Sequence, residues 1–192
     1  MRLIRRPTPV LMTDRLYLRP PILDDHVQWA RLRREGWDFL SPWEPVRAPD
    51  HLSRSSFRGR VHWSRQAIRG DRAVPLFLFR REDDKLLGAI TLDNIQRGPA
   101  QYCTVGYWIG ANHARKGYMR EALTRTVEHA FKELDLSRVQ AACLPENAAS
   151  RGLLEQCGFH YEGIAQSYLN IAGRWRNHVI YAALREDRLS SE

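Results

Sequence analysis

Cysteine and methionine are scarce in this chain, at three residues each in 192. Cys103, Cys143 and Cys157 are odd in number, widely spaced and contain no C-x-x-C pair. That pattern argues against a disulfide framework and a zinc site. The three thiols are expected to be small, reduced core residues. The seven histidines form no H-x-H or H-E-x-x-H pattern, so no metal is expected. No apolar run approaches the ~18 residues that a membrane helix needs, and no membrane association is expected. The basic start, Met1-Arg2-Leu3-Ile4-Arg5-Arg6-Pro7, leads into no hydrophobic secretory segment. A cytoplasmic location is therefore expected. Internal repeats and low-complexity tracts are also absent.

What the chain does have is an ordinary core composition, with 43% apolar residues, and a basic balance, with a net charge of +8. One domain over 1–192 is expected, with flexible tails over 1–12 and 186–192. The positive charge favours anionic partners, such as phosphate groups, nucleic acid or a ribosome surface, although a solvated arginine-rich surface accounts for it equally well.

Hydrophobic periodicity predicts the order of elements. A strand is expected over 15–20, where Leu16 and Leu18 alternate with Tyr17 and Arg19. Asp24 reads as the N-cap of a helix over 25–34. Residues 36–50, rich in Trp and Pro, read as an irregular loop, and a second helix is expected over 52–68. Strands follow at 76–79, 86–93 and 102–109, the first two joined by a turn at Asp83-Asp84-Lys85. Met119, Ala122, Leu123, Val127, Ala130, Phe131 and Leu134 then mark one face of a long helix. A strand over 138–144 and a helix over 147–157 come next, with Gly158 placed as the left-handed residue that ends it. Two last strands, 161–169 and 175–184, flank a turn at Ala172-Gly173. This is an α+β (mixed α/β) pattern: a mostly antiparallel twisted sheet of about seven strands with about four helices packed on it.

The chemistry concentrates in residues 107–122, where a strand runs through a basic turn into the long helix. The first amides of such a helix lack intrahelical partners and carry the positive end of its dipole. A phosphate group is well received there. Gly117 permits close backbone approach, and Arg115 and Lys116 add charge.

This segment resembles the acetyl-CoA loop of the GNAT superfamily, Q/R-x-x-G-x-G/A. Ala114 stands in the first slot, Gly117 in the fourth and Met119 in the sixth, and only Gly117 matches strictly. About thirty residues on, Asn147, Ser150, Leu154, Gly158, Phe159 and Gly163 resemble the family's N-x-x-S-x-x-L-x-x-x-G-F-x-x-x-G block. Residues 13–16, 39–47 and 168–178 resemble the opening strand, acceptor-side loop and closing hairpin of the RimJ/RimL-type ribosomal-protein alanine N-acetyltransferases. The chain is thereby identified as a member of the superfamily.

The resemblance implies an acetyl-CoA-dependent N-acetyltransferase. The cofactor would be held by Tyr107, Trp108, Ile109, Ala114, Arg115, Lys116, Gly117, Tyr118, Met119, Asn147 and Ser150. The expected acceptor is a protein N-terminal α-amine, from a ribosomal protein or on a ribosomal subunit. A small amine such as an aminoglycoside or a polyamine is the alternative within the class. A non-catalytic module binding RNA or protein is the alternative outside it. Specific DNA binding is not expected, and either a monomer or a homodimer fits the sequence. Ser150 is the candidate proton donor to the departing thiolate, and Glu44 the candidate base or amine anchor. Each also has a structural reading: Asn147 as a cap, Ser150 as a small helix residue, Glu44 as a surface carboxylate. Trp43, Tyr107 and Trp108 could line the site or fill the core. His113 reads as structural. Cys103 has no evident partner for a role as acyl carrier.

Overall fold

The computed structural model describes residues 8–186. Eight strands form one sheet: β1 (Leu11–Met12), β2 (Leu16–Arg19), β3 (Val74–Arg80), β4 (Leu86–Gln96), β5 (Tyr102–Ile109), β6 (Arg138–Cys143), β7 (His160–Ile171) and β8 (Arg174–Leu184). Five α-helices accompany them: α1 (His26–Glu35), α2 (Trp37–Leu40), α3 (Arg54–Arg69), α4 (Tyr118–Lys132) and α5 (Ala148–Gln156). The strand order is β1-β2-β3-β4-β5-β6-β8-β7, and only β5 and β6 run parallel.

The mixed fold is as expected, with one more strand and one more helix. Leu11 and Met12, expected in a flexible tail, form the extra strand, pairing with Leu18 and Tyr17. Two residues are too short for alternation to register, yet Leu11 is fully buried. Residues 187–192, most of the other expected tail, lie outside the described residues. The extra helix, α2, is a single turn within the stretch expected to be irregular, and it buries only Leu40. One turn presents no repeat to read. The start of α1 also differs from expectation. Asp25, not Asp24, organises it by accepting the Ile22 N–H at 2.8 Å and pairing with Arg19 at 2.7 and 2.8 Å. The chain makes a 3-10 turn over Leu23–Asp25 before the α-helix begins.

Strand alternation divides the core into two layers. Leu76, Leu78, Ile90, Leu92 and Val105 face α4 and α5, which contribute Met119, Ala122, Leu123, Ala130 and Leu154. Phe77, Phe79, Leu86 and Ala89 face the other way, onto Trp29 and Ala30 of α1 and Phe57 and Val61 of α3. The two faces therefore differ in apolar chemistry, mostly aliphatic on one side and richer in aromatic rings on the other. Gly158 is left-handed as expected, with φ of 79°. Ala172 and Gly173 form the β7–β8 turn, with φ of 48° and 82°.

The feature that makes room for a ligand is in the middle of the sheet. β5 and β6 pair only from Tyr102↔Arg138 to Val105↔Ala141. Both strands continue beyond that point, β5 for four more residues, without pairing to each other. A wedge opens between them.

Candidate active site

The loop entering α4 borders this wedge. Arg115 and Gly117 both take left-handed conformations, with φ of 59° and 79°. Such alternation turns successive amides inward and makes a concavity suited to an anion. Arg115 and Lys116 are exposed, whereas Tyr118 and Met119 are buried in the core, so the latter can offer only main-chain groups to a ligand there. Ala114 is extended. His113 lies beside the loop, and burial, then the charge of Lys116, pull its imidazole below the ordinary value.

The loop is held from outside by Arg15, in the turn between β1 and β2. Its guanidinium donates to the Lys116 carbonyl at 3.0 Å and lies 4.6 Å from the Tyr118 ring centroid. Glu121, in the first turn of α4, fixes Arg15 by accepting its main-chain N–H at 2.9 Å and its Nε at 2.7 Å. The Thr13 hydroxyl donates to the same carboxylate at 2.5 Å.

Within the wedge, the main chain of β5 is the working surface. The Gly110 N–H donates to the Leu87 carbonyl at 2.8 Å, on the β4 side. Main-chain groups alternate sides along an antiparallel strand, so those of Tyr107 and Ile109 face the wedge. Asn147 caps α5 by accepting the Ser150 N–H at 3.0 Å. That cap presents the Ser150 hydroxyl at 2.8 Å from the Tyr107 hydroxyl. Burial raises the Tyr107 phenol well above its ordinary value, with the Ser150 hydrogen bond opposing. The nearby Cys143 thiol is raised by burial too, again with Ser150 opposing. Cys103 is a core residue whose thiol burial pushes up to about 12.

On the aromatic face of the sheet a cleft of about 460 Å³ reaches the same strands. Gly106 and Trp108 of β5, Thr91 and Asp93 of β4, and Gln140 and Ala142 of β6 line its floor. Glu44 stands at its side, half-buried and gripped by both terminal nitrogens of Arg33, one of them at 2.7 Å from Oε1. Arg47 approaches the same carboxylate at 3.6 Å. The Arg33 guanidinium lies 4.9 Å from the centre of the Trp108 ring. The Glu44 carbonyl accepts the Ala172 N–H at 3.0 Å, tying the hairpin tip to this loop. Trp43 is partly exposed and does not line the cleft.

The structure thus brings Tyr107, Ile109 and Ser150 to the wedge, with Asn147 as the cap that holds Ser150, the 114–119 loop to its end, and Trp108 and Glu44 to the cleft. Sequence reasoning missed Asp93. It is opposite Thr104 and two cross-strand pairs from Gly106, where the wedge opens. Its carboxylate accepts the Asn94 N–H at 2.8 Å and has no cationic partner among the described residues. Its place was available from the period-two pattern of its strand. Arg33 and Arg60 carried no such signal, because one helix arginine reads like another. Among the described residues no group of His, Cys, Asp and Glu gathers as metal ligands, and no helix is long and apolar enough to cross a membrane.

Residues 15–160 match the family model described as the acetyltransferase (GNAT) domain. The chain belongs to this family of acetyltransferases. It is 35% identical over 179 residues to the [ribosomal protein uS5]-alanine N-acetyltransferase of Escherichia coli, covering 92% of this chain and 91% of that one. It is 34% identical over 172 residues to a probable N-acetyltransferase of Bacillus subtilis, YjcK, covering 90% and 95%. Among solved structures, Mycobacterium smegmatis RimJ in complex with CoA-disulfide superposes with a TM-score of 0.86 at 28% identity, covering 96% of this chain and 90% of that one.

The Arg15–Glu121 brace is sensitive to acid. Burial acts to raise the Glu121 carboxyl, but bonds from the Thr13 hydroxyl and from Arg15 outweigh it and hold the group below the ordinary value. A carboxylate lowered in the folded state stabilises above its unfolded value, and that contribution disappears as pH falls through the folded value. Glu121→Gln should therefore lower Tm at neutral pH and narrow its gap to wild type in acid. A gap that stays constant from neutral to acid pH would contradict the charge-based brace.

Proposed function

We propose that this enzyme transfers the acetyl group of acetyl-CoA directly to the α-amine of a protein N-terminus, of the ribosomal-protein type, in the cytoplasm. The observation that carries the choice of acceptor is the charge of the cleft. Arg33, Arg47 and Arg60 line it against Glu44 and Asp93. A polyamine or aminoglycoside brings several positive charges, which this wall repels. A peptide N-terminus brings one. The uS5-alanine relative supports the same reading.

In this scheme the amides of residues 115–119 receive the cofactor's diphosphate. The pantetheine arm lies in the wedge along Tyr107 and Ile109, whose N–H groups face it. One of them stabilises the oxyanion that forms when the amine attacks the thioester. An α-amine needs little help to become neutral. Deprotonation at pH 7 costs about 1 kcal/mol, against about 4.6 kcal/mol for lysine. Glu44 keeps lone pairs free of Arg33 and orients an amine N–H with one of them. Accepting the proton would break its ion pair with Arg33. Asp93, without a cation of its own, is the carboxylate available to take it. The collapsing intermediate expels the CoA thiolate, which takes the Ser150 proton as water reprotonates the serine oxygen, and Asp93 releases the amine proton to solvent. Tyr107, kept neutral by burial, holds that hydroxyl in place. The +8 net charge would help the enzyme dock on an RNA-rich ribosomal particle.

Two experiments address this scheme. In competition, an Ala-started peptide should outpace the same peptide with a blocked N-terminus and free lysine, and outpace spermidine, by at least about tenfold in kcat/KM; preference for spermidine would overturn the acceptor assignment. Ser150→Ala should lower kcat by about 10- to 100-fold while leaving the KM for acetyl-CoA nearly unchanged. Wild-type turnover in that variant would assign thiolate protonation to ordered water.

A further inference from the structure

Three guanidinium groups line the cleft around one carboxylate. Arg33 occupies Glu44 with both terminal nitrogens, and Arg47 reaches the same group at 3.6 Å. Arg60, on α3, has no carboxylate partner among the described residues. Its guanidinium rests 5.1 Å from the centre of the Trp29 ring. Arg60 is exposed at the cleft rim, and partial desolvation against the cleft wall, then the like charges of Arg47 and Arg33, pull it below its ordinary value, with Glu44 opposing. It nonetheless keeps its proton, as arginine does in proteins. These charges cannot be explained by the cofactor's diphosphate. They lie on the aromatic face of the sheet with α1 and α3, whereas the 115–117 loop leads into α4 on the other face.

A positive charge that faces a cleft without a carboxylate partner of its own is well placed to receive an anion. Asp93 and the mouth of the wedge lie at the cleft floor, so the cleft carries a carboxylate without a cation among the described residues as well as the arginines. We propose that Arg60 and Arg47 form a subsite for the carboxylate of an acidic side chain close to the acceptor's N-terminus, so that the enzyme selects N-termini followed by Asp or Glu. This rests on the N-terminal acceptor reading and deepens it. The free amine sits at the wedge, and the acidic residue reaches the arginines. Arginine is suited to the task because its planar fork takes a carboxylate with two bonds while its face remains on the indole.

The test uses Ala-started hexapeptides with Asp, Glu, Asn or Gln at the second, third or fourth position, presented to the CoA-loaded enzyme. Binding is followed by calorimetry and α-acetylation by mass spectrometry. At one of these positions the acidic peptide should bind about tenfold more tightly than its amide, and the difference should shrink with added salt. Arg60→Met should abolish the difference, while Arg60→Lys should retain part of it, which separates lost charge from lost packing. Equal or undetectable binding of acidic and amide peptides at every position would overturn the subsite. So would a preference that survives both Arg60→Met and Arg47→Met. The acetylation readout tests the acceptor independently: charge-selective binding without α-acetylation would keep the subsite and remove the protein N-terminus as acceptor. Efficient acetylation without charge selectivity would do the reverse.

Discussion

The parallel pairing of β5 with β6 stops after four residue pairs, and the rest of the site depends on that stop. Continued pairing would use the main-chain groups of Tyr107 and Ile109 in a sheet ladder. Their release leaves hydrogen-bonding groups that β6 does not take up, fixed in direction by the continuous pairing of residues 104–109 with β4 on the other side. A donor that is rigid and unspent can bind a ligand without first being reorganised. The same divergence carries the chain end of β5 toward the loop of α4, and the end of β6 toward the cap of α5. One break in register therefore aligns an anion-binding loop, a row of amides and the Ser150 hydroxyl.

The sheet also separates two kinds of chemistry. On the α4 and α5 face stand the neutral groups around the wedge: Tyr107 and Cys143, each kept in its protonated form by burial, and the Ser150 hydroxyl. On the α1 and α3 face stand the charged groups, Glu44, Asp93 and the arginines. The charged side is built from parts far apart in sequence. Arg33 comes from α1, Arg60 from α3, Asp93 from β4, and the hairpin tip at Ala172 binds the loop of Glu44. Substitutions at Ala172 or Gly173 would reach the Glu44 side of the cleft through that main-chain link.

Much of this was legible in the sequence, and what was not has physical causes. The long helix and its buried stripe, the strand over 102–109 and the left-handed Gly158 follow from periodicity and from the backbone preferences of glycine. The Asn147 and Ser150 block could be recognised because it is contiguous, and the structure gives its two polar members one local task, a cap that aims a hydroxyl. β1 and α2 were hidden because two residues or one turn carry no period. The environment of Glu44 was hidden for a different reason: its partner, Arg33, lies eleven residues earlier on a helix whose arginines look alike in sequence. Loop position alone made Glu44 look like a free carboxylate, and tertiary packing makes it the centre of an ion cluster. Asp93 shows the converse, a β4 residue whose orientation was readable but whose nearness to the wedge required knowing where β5 and β6 part.

The central claim is that the wedge and the loop beyond it form the cofactor site. Hydrogen–deuterium exchange of the enzyme with and without saturating CoA tests this directly. CoA should slow exchange at the amides of residues 106–109 and 115–119 together, with smaller changes elsewhere in the sheet. Protection confined to the β7–β8 hairpin or the α3 surface, with 106–109 and 115–119 unchanged, would contradict it.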